Sequence, residues 1–180
     1  MAGPDPAGAI SWLFFFAFLI AAGAQNGFDF GEEKRTHLHF FFHDVVSGSK
    51  PTVVRVAGVT SGLRSLNMFG DVMMIDDALT EGPDSTSKLI GRAQGFYAGA
   101  SQEELALLMA MNYYFVEGDY KGSTLALLGR NSVMSATREM AIIGGSGYFR
   151  LARGYAVAKT HSFNVSGDAI VEYNVYVIHR

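Results

Sequence analysis

The sequence contains no cysteine, so no disulfide can brace the fold. Charge of one sign is equally scarce. Fourteen Lys and Arg stand against 17 Asp and Glu, without a basic stripe or an acidic tail, which argues against nucleic acid as a partner. No apolar run approaches the ~20 residues that a membrane-spanning helix needs. Low-complexity tracts, heptad runs and internal repeats are missing as well, which removes the coiled-coil, solenoid and fibrous classes. What remains is a chain of 180 residues, 49% hydrophobic and 17% charged, the size of one globular domain.

Its first segment has a different character from the rest. Trp12–Ala22 is an unbroken apolar run, followed by the small-x-small pattern Ala22-Gly23-Ala24. This is the layout of a secretory signal peptide covering residues 1–24, with Gln25 as the new N-terminus. The segment departs from the usual pattern in carrying Asp5 and no Lys or Arg ahead of the run; an uncleaved anchor or a buried helix is the competing reading. Cleavage would leave residues 25–180 as one domain and remove Trp12, the single tryptophan. Asn164-Val165-Ser166 is an N-glycosylation sequon, usable at Asn164 if the chain enters the secretory pathway.

Beyond that segment, short runs with alternating apolar residues are separated by Gly, Asn, Asp and Ser. They predict strands at 36–46, 52–57, 69–77, 89–98, 105–116, 123–128, 134–143, 148–160 and 169–179, joined by tight turns. Ser101-Gln102-Glu103-Glu104 before Leu105–Met111 has the form of a helix-opening capping box. The β-formers Asn112–Val116 and the turn that follows favour a turn and then a strand. Eight or nine such runs without long helices predict an all-β barrel or sandwich.

Strand parity then sorts side chains by face. In Thr36–Asp44, Leu38, Phe40, Phe42 and Asp44 share one face, and His37, His39, Phe41 and His43 share the other. An inward first face would place the Asp44 carboxylate in an apolar interior, where burial raises its pKa and fits it to give or take a proton; the alternative is an Asp44 that caps the next turn. In Gly91–Tyr97, three small residues, Gly91, Ala93 and Gly95, precede Tyr97 on one face. They either leave room for a ligand beside Tyr97 or let the backbone pack closely against a neighbour. Asp76 and Asp77 face opposite ways in a regular strand and cannot share a proton with each other; a turn or subunit-contact role is expected for them. The outward histidines resemble the His-x-His element of metal-binding oxygenases. Four residues of strand span roughly 13 Å, too far for a common ligand point from His39 to His43. No metal site is expected.

Four ordered motifs carry a resemblance: His39-Phe-Phe-Phe-His-Asp44, Phe69-Gly-Asp71 with Ile75-Asp-Asp77, Gly91-Arg-Ala-Gln-Gly-Phe-Tyr97, and Arg138-Glu-Met-Ala-Ile-Ile-Gly-Gly-Ser-Gly147. Together, over 36–179, the chain resembles the plant dirigent proteins. The resemblance implies an eight-stranded antiparallel β-barrel of the allene oxide cyclase type, secreted to the apoplast or cell wall and usually trimeric. It implies no cofactor and no membrane partner. Members orient phenoxy radicals from monolignols such as coniferyl alcohol so that they couple with one handedness in lignan and related phenolic biosynthesis. A separate laccase or peroxidase makes the radicals. Such a protein acts by orientation, because radical pairing has almost no barrier of its own to lower.

Carried over residue by residue, the cavity acid of the His-Asp motif matches Asp44 and the cavity tyrosine matches Tyr97. The basic residue before the Gly-Gly turn matches Arg138, and an aromatic closing the pocket matches Phe163. Phe42 is added as a substrate contact from its place beside Asp44 on the same face. In these roles Asp44 and Arg138 are catalytic, while Tyr97, Phe42 and Phe163 hold substrate. The chain departs from lignan-forming members in lacking their cysteine pair, in carrying Asn131-Ser132 where they have Asp-Pro, and in Ala78 where a proline is common. These departures set it with the cysteine-free members rather than the pinoresinol-forming ones. Cysteine-free relatives include proteins resembling pterocarpan synthase, which dehydrate an isoflavanol and close a ring through a quinone methide. A non-catalytic phenolic-binding protein of the cell wall is the other alternative.

Overall fold

A computed structural model describes residues 31–58 and 67–180; the signal-peptide reading of 1–24 lies outside them. Nine strands follow one another: β1 (Lys34–Asp44), β2 (Val53–Ala57), β3 (Val72–Thr80), β4 (Leu89–Gly99), β5 (Ala106–Phe115), β6 (Thr124–Ser132), β7 (Arg138–Ser146), β8 (Arg153–Phe163) and β9 (Ala169–His179). All neighbours in the sheet are antiparallel, in the order β1-β9-β8-β7-β6-β5-β4-β3-β2.

The ring closes through β1 and β3, where Phe41, Phe42 and His43 face Thr80, Leu79 and Ala78. β2 takes over beside β3 where β1 leaves it, pairing Val53 with Ile75. Thus β1 and β2 share one seat along β3, and the closed form is an eight-stranded barrel, which leaves no long free edge.

Alternation fills the interior as the period-two pattern dictates. Leu38, Phe40 and Phe42 of β1, Met109, Met111 and Tyr113 of β5, and Tyr173, Val175 and Val177 of β9 are buried. One end of the lumen is plugged. Phe40 lies 5.0 Å from Tyr113 and 5.9 Å from Tyr173, centroid to centroid, and Tyr113 lies 5.7 Å from Tyr173. These separations suit edge-to-face and offset ring packing. Phe149, fully buried, seals the same end against Phe115 and His179.

Several expected boundaries move: the strands expected at 69–77, 134–143 and 148–160 run Val72–Thr80, Arg138–Ser146 and Arg153–Phe163. The strand expected from Tyr148 starts at Arg153, because Gly147 takes a positive φ of 62° and opens a 3-10 turn that drops Phe149 into the barrel end. Around Ser101 the capping signal is used, though not by a helix. The Ser101 hydroxyl accepts from the Glu103 and Glu104 N–H groups at 3.3 Å, making a local turn before β5.

Candidate functional site

The unplugged end of the barrel holds a largely apolar cavity of about 620 Å³, within the range of small-molecule sites. Phe42 and Asp44 reach it from β1, Tyr97 from β4, Met109 from β5, Asn131 from β6, Arg138 from β7, Thr160 and Phe163 from β8, and Tyr173 from β9. The five cavity residues anticipated from sequence, Asp44, Tyr97, Arg138, Phe42 and Phe163, therefore meet around one space. Asn164 lies on the exposed β8–β9 turn, where its side chain accepts from the Ser166 and Asp168 N–H groups at 2.9 and 3.0 Å.

Asp44 ends β1 with its carboxyl turned inward, and its Oδ1 is buried without a hydrogen-bond partner. Burial pushes its pKa up to about 7; the Tyr97 hydroxyl beside it works the other way, and the charge of Asp168 adds to the rise. Tyr97, 4% exposed, is itself held well above the ordinary phenol range by burial and then by the neighbouring carboxyls.

Arg138, the first residue of β7, is 5% exposed. Its Nε donates to Asn131 Oδ1 and its Nη1 to Thr160 Oγ1, each at 3.0 Å. Both partners are neutral, and among the described residues Arg138 forms no ion pair. Burial lowers its pKa, but a guanidinium stays charged under any ordinary condition. The cavity thus carries a cation with donors to offer and an acid that can hold or release a proton near neutrality. Phe42 is buried beneath, and Phe163, 63% exposed, stands at the mouth.

Three expectations are corrected or decided here. Asp76 and Asp77 do face opposite ways, and Asp76 pairs outside with Arg92 at 2.5 Å. Asp77, however, makes neither a turn nor a surface contact. It is fully buried among the inward residues Ile75 and Leu79, and burial raises its pKa to about 8. The signal was present in the alternation Ile75-x-Asp77-x-Leu79. Gly91 and Gly95 serve close backbone packing: a Cβ at either would sit 2.7 Å from the Tyr114 oxygen or 2.3 Å from that of Ala110 on β5. The small face makes no room beside Tyr97. Asn131, read from sequence only as a missing acid, is the buried acceptor that orients Arg138, and its own Nδ2 donates to Met109 Sδ at 3.7 Å.

The outward histidines each have a separate partner. His37 contacts Asn174 Oδ1 at 2.9 Å and stacks on Tyr176, His39 contacts Glu172 Oε1 at 2.8 Å, and His43 is buried against Thr80 Oγ1 at 2.7 Å. Among the described residues no group of three or more His, Asp or Glu is placed to hold a metal ion.

Comparison with known proteins finds similar chains and structures. The family model described as Dirigent-like protein matches residues 35–178. The chain is 57% identical over 148 residues to Dirigent protein 21 of Arabidopsis thaliana, covering 82% of this chain and 78% of that one. It is 55% identical over 152 residues to Pterocarpan synthase 1 of Glycyrrhiza echinata, covering 83% and 81%. The solved structure of a pterocarpan synthase dirigent protein superposes with a TM-score of 0.79 at 54% identity, covering 84% of this chain and 93% of that one.

Proposed function

Since the chain belongs to the dirigent family, we propose that its cavity binds a phenolic substrate and directs closure of a quinone methide with one handedness. The observation that carries this reading is the placement of an ionisable acid, Asp44, and an ion-pair-free cation, Arg138, around one apolar space. The pterocarpan synthase relatives support ring closure to a pterocarpan, for which the family resemblance implies an isoflavanol as substrate.

In this reading the aromatic rings pack between Phe42, Phe163 and Tyr173. Arg138 hydrogen-bonds the phenolic oxygen and stabilises the negative charge that grows there when its proton leaves. Asp44, carrying its proton, donates it to the benzylic hydroxyl, and the C–O bond breaks with loss of water. The second phenolic hydroxyl then adds to the electrophilic carbon, forming the ring C–O bond, and its proton returns to Asp44. The proton that leaves the first phenolic oxygen passes to solvent water and is regained there as the ring closes, so the net change is the loss of one water and no oxidant is needed. Handedness follows from which face of the electrophilic carbon the closed cavity leaves open.

A second reading, stereoselective coupling of monolignol radicals made by a laccase or peroxidase, is favoured by the dirigent relatives and by a cavity with room for two single-ring phenols. The proposal includes secretion, use of the Asn164 sequon, and assembly into a homo-oligomer.

The test offers purified protein two substrates separately: a racemic 2′-hydroxyisoflavanol, and coniferyl alcohol with a laccase. Chiral chromatography then reads the products. One enantiomer of a pterocarpan from the first arm is the expected result. Enantioenriched lignan from the second arm alone would replace the first reading by the second, and racemic or absent product in both arms would refute both.

A further inference from the structure

Asp77 is not used by the mechanism above, yet it is the most completely buried carboxyl near the site, with no exposed surface at all. Its position is set by register. The β1–β3 ladder ends on the pair His43–Ala78; Asp44 and Asp77 are the next residues on their strands, near enough that the Asp44 charge is one of the causes raising the Asp77 pKa. Both side chains point to the barrel interior.

Thr52 connects the two positions. Its N–H donates to the Val45 oxygen at 2.8 Å, and its hydroxyl accepts from the Val45 N–H at 3.1 Å. Its carbonyl accepts from the Asp76 N–H at 3.0 Å, and its hydroxyl donates to Asp77 Oδ1. One residue thereby ties the position after Asp44 to the position before Asp77 and to the Asp77 carboxyl itself.

One oxygen of each acid, Asp44 Oδ1 and Asp77 Oδ2, is buried with no partner. Buried polar atoms are rarely left so, and two such oxygens on neighbouring acids share one explanation. We propose that Asp44 and Asp77 form an electrostatically coupled carboxyl pair in which Asp77 is a positioning residue, keeping its proton while Asp44 releases its own. Neighbouring carboxyls cannot both ionise cheaply, so the second proton is retained until the solution is distinctly more basic. The pair would keep Asp44 partly protonated after the first proton has gone, extending the range over which it can act as an acid.

The surroundings leave this coupling in place. Around Asp44 stand Tyr97 of β4, Tyr173 of β9 and Asp168 of the β8–β9 turn; around Asp77 stand Asp76 of β3 and Arg92 of β4. Arg92 is bound to Asp76 on the outer face, and Arg138 is held by Asn131 and Thr160. Among the described residues neither Asp44 nor Asp77 has an ion pair to a cation.

The proposal rests on the acid role given to Asp44, but its test reads the pair directly. Protein labelled with carbon-13 at the aspartate carboxyls is titrated by NMR from about pH 5 to about pH 10. The Asp44 carbon is expected to respond in two steps, its own and that of Asp77. Asp77→Asn should abolish the upper step. Thr52→Val removes the hydroxyl that favours the ionised Asp77, and should move the upper step to higher pH by about one unit. A single Asp44 step that neither variant changes would overturn the pairing, and should Asp77→Asn fail to fold, an unmoved upper step in Thr52→Val would do so alone. Coupled titration together with no product from either substrate above would count against the catalytic reading and leave the pair standing.

Discussion

Replacing Asp77 by Asn tests the burial of this acid through the stability of the whole barrel. The native pKa of Asp77 lies at about 8 against an ordinary 3.8. Between these values the folded chain keeps a proton that the unfolded chain has released. Stability therefore falls as pH rises across this window, with a slope of about 1.4 kcal/mol per pH unit while the difference is one whole proton. From pH 5 to pH 8 this one residue costs the parent about 3–4 kcal/mol, the last part reduced because the native group is itself half ionised near pH 8. An asparagine has the same shape and no proton to lose, so the variant lacks that part of the slope. At pH 5, already more than one unit above the ordinary value, the variant should be the more stable by about 2 kcal/mol, shifted by about 1 kcal/mol either way for the one exchanged hydrogen bond. At pH 8 the variant should be the more stable by about 5 kcal/mol. Urea unfolding followed by far-ultraviolet circular dichroism at four pH values between these limits reads the difference directly. Parallel stability curves for parent and variant would mean that Asp77 ionises in the native state as it does in the unfolded one, and the argument from its burial would fail.

Asp44→Asn should leave phenolic binding within about threefold of the parent, measured by calorimetry, while removing product formation or its enantiomeric excess, because only the proton is lost. Arg138→Met should weaken binding of the same phenol by about 10–100-fold, the value of hydrogen bonds to a charged group; unchanged affinity would remove Arg138 from the substrate's contacts. Gly95→Ala should destabilise the barrel by about 2 kcal/mol or more, since its φ of 153° and the Ala110 oxygen at 2.3 Å leave no place for a methyl group; a thermal melt checks this. His39→Ala, which removes a contact to Glu172 on the exposed outer face, should shift stability by less than about 1 kcal/mol and leave cavity binding unaltered.

Much of this protein is legible without coordinates. The alternation of Leu38, Phe40, Phe42 and Asp44 against His37, His39, Phe41 and His43 determines which face of β1 is apolar, since side-chain direction in a strand has period two and burial selects the apolar set. The family motifs mark Tyr97 and Arg138, the wider resemblance adds Phe163, and all three line one cavity. Other features depend on which strands become neighbours, and only ring closure decides that. Parity states that Asp76 and Asp77 point apart, and the alternation Ile75-x-Asp77-x-Leu79 marks Asp77 as the inward one; it does not state that β1 will lie beside β3 and bring Asp44 near Asp77. The role of Asn131 needed β6 and β7 side by side, for its carbonyl oxygen is useful only where a guanidinium from the next strand can reach it. The depth of the cavity depends on Phe40, Tyr113 and Tyr173, three rings from separate strands that plug one end of the lumen. Local pattern sets the face of each strand, because that choice is made within a few residues. The site's chemistry arises from contacts between strands distant in the chain, and their proximity is a property of the closed barrel.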